Sequence, residues 1–147
     1  VGDIVFNIAK GKAAYYAGLP ASDDALIAVP IETSGIEADA TLQDYDTLSA
    51  LLAAANNEQS TMGRKTLGSV TVTVDDTNNR TDVDAADITW TAASGNAVSG
   101  LVICYDPDTT GGTDADLIPL VKLDFVATPD GNDLVFSFNS AGFYRAS

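Results

Sequence analysis

Val70, Val72 and Val74 alternate with Thr71 and Thr73, a period of two that predicts a half-buried strand. Ala25-Leu-Ile-Ala-Val-Pro-Ile31 is an apolar run that also predicts a strand. Pro30 has no N–H for a ladder, so it marks an edge or a strand end there. Further strands are predicted over Val83 to Thr91, Ala97 to Tyr105, Leu117 to Ala127 and Leu134 to Asn139, with Gly142 to Ser147 as a closing edge strand. Asp75-Asp-Thr-Asn-Asn-Arg80 is a turn by composition, and Asp130-Gly131 predicts the loop of a hairpin. One helix stands out, from Ala40 to Ala55, because Leu42, Tyr45, Leu48 and Leu52 recur at helical spacing. Thr41 is placed to cap it, Asp44 and Asp46 suit the positive end of its dipole, and Asn56-Asn57 ends it.

The N-terminal segment has its own character. Ile4, Phe6 and Ile8 fall on one side of Asp3 to Ala9, which predicts either a first strand or an extended arm on a neighbouring subunit. Lys10-Gly-Lys12 and an apolar stretch with Tyr15 and Tyr16 come next, broken at Gly18 and Pro20. The chain therefore divides into residues 1–20, an N-terminal arm or first strand, and residues 21–147, a single β-rich domain. No internal repeat interrupts the second part. The expected fold is mainly β: an antiparallel sandwich or barrel-like domain with one short helix and an N-terminal extended arm.

A chain of 147 residues is long enough to bury about 68–70% of its unfolded surface without disulfides or a structural metal. No apolar run reaches the length of a membrane span, and no basic n-region precedes an apolar stretch as in a signal peptide. A start at Val1 fits removal of an initiator Met and synthesis in a host cytoplasm. The net charge of −14 argues against binding to a phosphate backbone or to anionic lipid, where affinity comes from Lys and Arg. Eighteen of the acidic residues are Asp and three are Glu (Glu32, Glu37, Glu58). Asp bonds to nearby backbone, so most of this charge belongs in turns between strands. Cys104 is the single cysteine, reads as a small buried hydrophobe, and leaves no internal disulfide to form. Histidine is absent, which removes the usual general base and the commonest zinc ligand.

Two acidic stretches invite a test for metal binding. From Asp106, Asp108 and Thr110 stand third and fifth, Gly111 sixth and Asp114 ninth, like the ligand spacing of an EF-hand loop. The twelfth position, where a bidentate Glu belongs, is Leu117, and the flanks read as strands. A loop closed by its own Asp and Thr hydrogen bonds is the expectation. Asp75, Asp76, Asp82, Asp84 and Asp87 form the second cluster and read as solvated turn residues. No pair of carboxylates is singled out by apolar surroundings, Gly111-Gly112 lacks the Lys of a phosphate loop, and no Gly-x-Ser-x-Gly elbow occurs. An enzyme is not expected, nor any cofactor or metal.

Several phrases together resemble one family, the small structural proteins of tailed bacteriophage virions. They are Phe6-Asn-Ile-Ala-Lys-Gly-Lys12, Ser34-Gly-Ile-Glu-Ala-Asp-Ala-Thr-Leu42, Asp75-Asp-Thr-Asn-Asn-Arg80 with Val83-Asp84 and Thr89-Trp90, Cys104-Tyr-Asp-Pro-Asp-Thr-Thr-Gly-Gly-Thr-Asp114, and Gly142-Phe-Tyr-Arg-Ala-Ser147. They span almost the whole chain. The resemblance implies a capsid decoration or cement protein on the outer surface of the head. Its partner would be the major capsid protein, with a homo-oligomer, a trimer at local three-fold junctions, as the expected state. No nucleic acid, membrane or catalytic residue enters. The expected contact residues are Ile4, Phe6, Ile8, Lys10, Lys12, Tyr15 and Tyr16, since aromatic and basic anchors are enriched in interfaces; a strand in the protein's own core is the alternative for the same residues. A tail component (tube, tip or small adhesin) is the second expectation. A calcium-dependent carbohydrate-binding module, suggested by the acidic loops with Trp90, Tyr105 and Tyr144, is the third.

Overall fold

Apolar runs that alternate poorly need cover on both faces, and the longest runs of this chain lie side by side at its centre. The computed structural model describes residues 2–147; Val1, expected as a processed start, lies outside them. Strands β1 (Ile4–Val5), β2 (Ala25–Glu32), β3 (Lys65–Thr66), β7 (Val98–Asp106) and β8 (Ile118–Ala127) form an open antiparallel sheet in the order β1-β8-β7-β2-β3. A three-stranded sheet is built from β4 (Thr71–Asp75), β5 (Arg80–Asp84) and β10 (Tyr144–Ala146), in the order β10-β5-β4. A two-stranded sheet joins β6 (Ile88–Trp90) to β9 (Leu134–Phe136). Three short helices complete the fold: α1 (Ala13–Ala17), α2 (Asp39–Leu42) and α3 (Leu48–Ala53). The fold is mainly β and antiparallel, as the periodicities predict.

Paired residues on antiparallel neighbours share a face. Leu26, Ala28, Leu101, Ile103, Tyr105, Val121 and Leu123 therefore line one side of the central sheet. Tyr105 stacks there on Tyr16 of α1, and Phe125 farther along β8 stacks on Trp90 of β6 and meets Phe136 of β9 edge-on. Val29, Val102 and Lys122 line the other side, where α2 brings Asp39 onto the Lys122 ammonium at 2.8 Å. Two register shifts bend the β7–β8 ladder, one between Val98 and Gly100 and one between Ile103 and Cys104.

Several local expectations are corrected. The helix expected over residues 40–55 is two helices separated at residues 43–47. Thr47, not Thr41, caps the second by accepting from the Ala50 N–H at 3.2 Å. The break lets Leu42, Leu48 and Leu51 all reach the core, whereas Tyr45 turns its hydroxyl to Glu37 at 2.8 Å. Asn56 does more than end a helix: buried, it accepts from the Glu37 N–H and donates to Glu37 Oε2 and the Leu51 carbonyl. Pro30 is not on a sheet edge. Its carbonyl accepts from Gln59 N–H at 2.9 Å, so the ring nitrogen also faces that loop, where β3 is too short to need a donor. The expected strand from Val83 to Thr91 is split between two sheets as β5 and β6. Asp130-Gly131 closes no hairpin, because β9 pairs with β6 rather than with β8.

The N-terminal segment does not run out as an arm. β1 pairs with β8, a 3-10 turn comes next at Asn7–Ala9, and α1 then lies against β4, β5 and β10. Phe6, Ala9 and Ala17 join the same buried cluster as Leu26, Leu101 and Phe125, so residues 2–20 share one core with residues 21–147.

Gly100 is the position where a side chain is least welcome in the central sheet. A Cβ there would stand 3.3 Å from Ile36 Cδ1 and 3.4 Å from Lys122 Cδ. The absent side chain is the space in which the Lys122 stem lies. Gly100→Val is expected to destabilise the fold by about 1–3 kcal/mol through overpacking, read as a lower urea midpoint with an unchanged slope.

Candidate functional site: the N-terminal turn and the acidic loops

The seven residues expected to make contacts are separated by the fold into two groups. Ile4 and Ile8 are half-buried against the core, and Phe6 is 0% exposed, its N–H donating to the Leu120 carbonyl at 3.0 Å. Phe6 is thus removed from the contact set, because an alternating segment that pairs with β8 satisfies its own apolar side at home. Lys10, Lys12 and Tyr15 stand on the surface. Gly11 at φ +77° turns the chain between the two lysines, a conformation that favours glycine. Lys10 Nζ donates to Asn7 Oδ1 at 2.6 Å, and the Asn7 amide in turn donates to Asp44. Tyr16 is half-buried on the Tyr105 ring at 4.7 Å, and Tyr15, 65% exposed, meets Tyr16 edge-on at 5.6 Å. The exposed ring is therefore held by a packed one. Burial, and then its hydrogen bond to Asp24 at 2.8 Å, pushes the Tyr105 hydroxyl up to about 12.

Four of the seven cations are neutralised within the chain. Arg64 forks between two carboxylates, with Nε 2.6 Å from Glu58 Oε1 and Nη1 2.6 Å from Asp114 Oδ1. Donation to Glu58 foremost and to Asp114 next raises the guanidinium, and Arg64 holds the Asp114 carboxyl below the usual range. Arg80 Nε lies 3.2 Å from Asp75 and 3.1 Å from Asp82, though neither contact is aligned as a hydrogen bond. Arg145 Nε donates to Asp82 at 2.6 Å and is the first cause of that carboxyl's depression. Lys122 is wholly buried between Asp39 and Asp124 at 2.8 and 3.1 Å. Lys10 and Lys12 form no ion pair among the described residues.

The acidic loops are occupied by their own backbone. Asp106 accepts from Asp108 N–H, Asp108 from Thr110 N–H and hydroxyl, and Asp116 from Thr113 N–H, while Asp114 belongs to Arg64. Asp75 accepts from the Asn78 N–H and amide, Asp84 from Ala85 N–H, and Asp87 from Phe138 N–H. Among the described residues no group of three or more Cys, Asp or Glu is placed to hold a metal ion. Cys104 is buried, and burial pushes its thiol far up. A cleft of about 440 Å³ is lined by Phe136, Phe138, Phe143, Asp3, Asp124 and Arg145 among others. Among the described residues no helix is long and apolar enough to cross a membrane.

Sequence reasoning missed the role of Arg64. Its partners Glu58 and Asp114 are six and fifty positions away, and no local pattern links the three. Comparison of the chain with protein-family models, with curated proteins and with solved structures finds no match in any of the three.

The Arg64 fork sets a pH dependence. The folded Asp114 carboxyl lies below its unfolded value, so the stabilisation is complete above pH about 4 and is lost as pH falls from there through the folded value. Arg64→Met is expected to lower stability at pH 7 by about 1 kcal/mol, the pair being partly exposed. The variant's deficit should shrink on acidification, as measured by urea melts at pH 7 and pH 3. A deficit that is equal at both would place the loss in packing instead.

Proposed function

We propose that this chain is a non-enzymatic structural protein of a tailed-phage virion: a decoration or cement protein that binds the outer surface of the head and bridges neighbouring major capsid proteins. The observation that carries the reading is the resemblance running from Phe6 to Ser147. The fold adds support of a chemical kind. Arg64, Arg80, Lys122 and Arg145 are held by carboxylates of the same chain, and the loop carboxylates are taken up by turns, so the polar groups build a rigid body. Lys10, Lys12 and Tyr15 are left outward on a protein of net charge −14. A cationic turn with an aromatic anchor suits an acidic protein surface. Its many copies on a shell would act together through multivalency.

Quantitative mass spectrometry of separated heads and tails of the parent virion tests the assignment. Abundance near that of the major capsid protein, in the head fraction, is the expected outcome. Recovery with tails would move the protein to a tube, tip or adhesin role, and absence from both would end the virion reading. On purified shells, Lys10→Glu with Lys12→Glu and Tyr15→Ala is expected to weaken binding by about tenfold or more. Thermal melting should be unchanged, since none of the three side chains is buried.

A further inference from the structure

Strand β4 breaks the pattern of this surface. Thr71, Val72, Thr73 and Val74 are all exposed, Val72 at 37% and Val74 at 68%. The alternation of Val and Thr predicts a half-buried strand, and the strand forms, but α1 covers its apolar side only in part and leaves Val74 outward. Its register explains the difference: Val72 sits opposite Val83, which α1 and the core bury, while β4 overhangs as the outermost strand. β4 pairs only with β5, and no other backbone hydrogen bond reaches Thr71–Asp75 among the described residues. Proteins usually blunt such an edge with Lys, Pro, a bulge or a covering loop. This one carries none of those features. Its register with β5 is unbroken, and Ser69–Val74 contains no charge in a chain with twenty-eight charged side chains (7 + 21).

We infer that the outer edge of β4 is a self-association site, whose occupant is β4 of a second copy of this chain, paired antiparallel about Thr73. That register places Thr73 opposite Thr73 of the partner copy and Val72 opposite its Val74, twice over by symmetry. Asp75 then falls opposite an uncharged Thr71, so no two carboxylates face each other. Shifting the symmetric centre to Val74 sets Asp75 against Thr73, and to Asp75 it stacks two aspartates, which is unfavourable. The Thr73 centre pairs the most residues of Thr71–Asp75 and joins the two three-stranded sheets into one of six strands. It is a closed, two-fold contact and ends with the dimer. The high negative charge works against it at long range, so screening should favour the dimer. The inference stands apart from the virion reading, because it needs no shell.

Sedimentation analysis of the whole chain from about 10 to 500 μM covers the range in which a weak dimer dissociates. A monomer–dimer equilibrium is expected, tighter at about 0.5 M than at about 0.05 M salt. Val74→Lys should weaken it by about tenfold, since the lysine appears twice in the contact. Its melting temperature in dilute solution should be unchanged, as the side chain is already exposed. Register is tested by oxidation. Cys104 is buried and silent, so Thr73→Cys adds one accessible thiol. Paired about that residue, two such Cα atoms lie about 4.5–5.5 Å apart, within disulfide reach. In Thr71→Cys they would be about 14 Å apart. Rapid cross-linking of Thr73→Cys but not of Thr71→Cys is the expected result. A monomer throughout, a trimer, a dimer indifferent to Val74→Lys, or equal cross-linking of both cysteine variants would each overturn the inference.

Discussion

Strand β7 is buried on both faces, and the rest of the molecule is arranged to keep water off it. Leu101, Val102, Ile103 and Cys104 are all fully buried, which no two-layer arrangement with a wet face permits. Each large aliphatic side chain so covered contributes about 1.5–3 kcal/mol. One cover is aromatic: Tyr16 on Tyr105, then Trp90 and Phe136 about Phe125. The other is the α2–α3 segment with Leu42, Leu48 and Leu51. The flanking strands β2 and β8 satisfy the backbone of β7 along nearly its whole length.

Placing Lys122 on the helical side of that sheet adds a second constraint. Its ammonium lies wholly out of water, a position tolerated only with good partners. Asp39 reaches it from α2, Asp124 from the same strand, and Gly100 leaves space for the aliphatic stem. The ion pair ties one orientation of α2 to one register of β8. A helix slipped by a residue would leave the buried ammonium with Asp124 as its one remaining partner among these two carboxylates. The Lys122 hydrogen bond is also the first cause of the low Asp39 carboxyl, so this lock and the Arg64 fork both weaken in acid.

The parts of the fold legible in the sequence are those where local pattern and burial agree. Ala25 to Ile31, Ala97 to Tyr105 and Leu117 to Ala127 are long apolar runs, and each is a central strand. What escaped depends on distant partners. The helix from Ala40 to Ala55 has one continuous stripe, yet it breaks at residues 43–47, with Thr47 capping a second helix whose Leu48 N–H meets the Leu117 carbonyl. Lys122 lies within the apolar run of β8, and one of the two carboxylates that hold it inside, Asp39, is eighty-three positions away, beyond the reach of local pattern. At the candidate site the lysines and Tyr15 were legible as surface groups. Phe6 was not separable from them, because an alternating segment fits an arm and a first strand equally well.

Charge then decides which surfaces remain for contact. With Arg64, Arg80, Lys122 and Arg145 held internally, the negative excess is carried outward by loop aspartates, and two copies repel one another at long range. Two stretches depart from that rule: the Lys10–Tyr15 turn and the uncharged residues Ser69–Val74 at the edge of β4. They adjoin, since α1 lies directly against β4. Pairing through the edge therefore gathers two cationic turns on one body. The fold thus sets the chain's contacts less by what it exposes in bulk than by the few places where its carboxylates are missing.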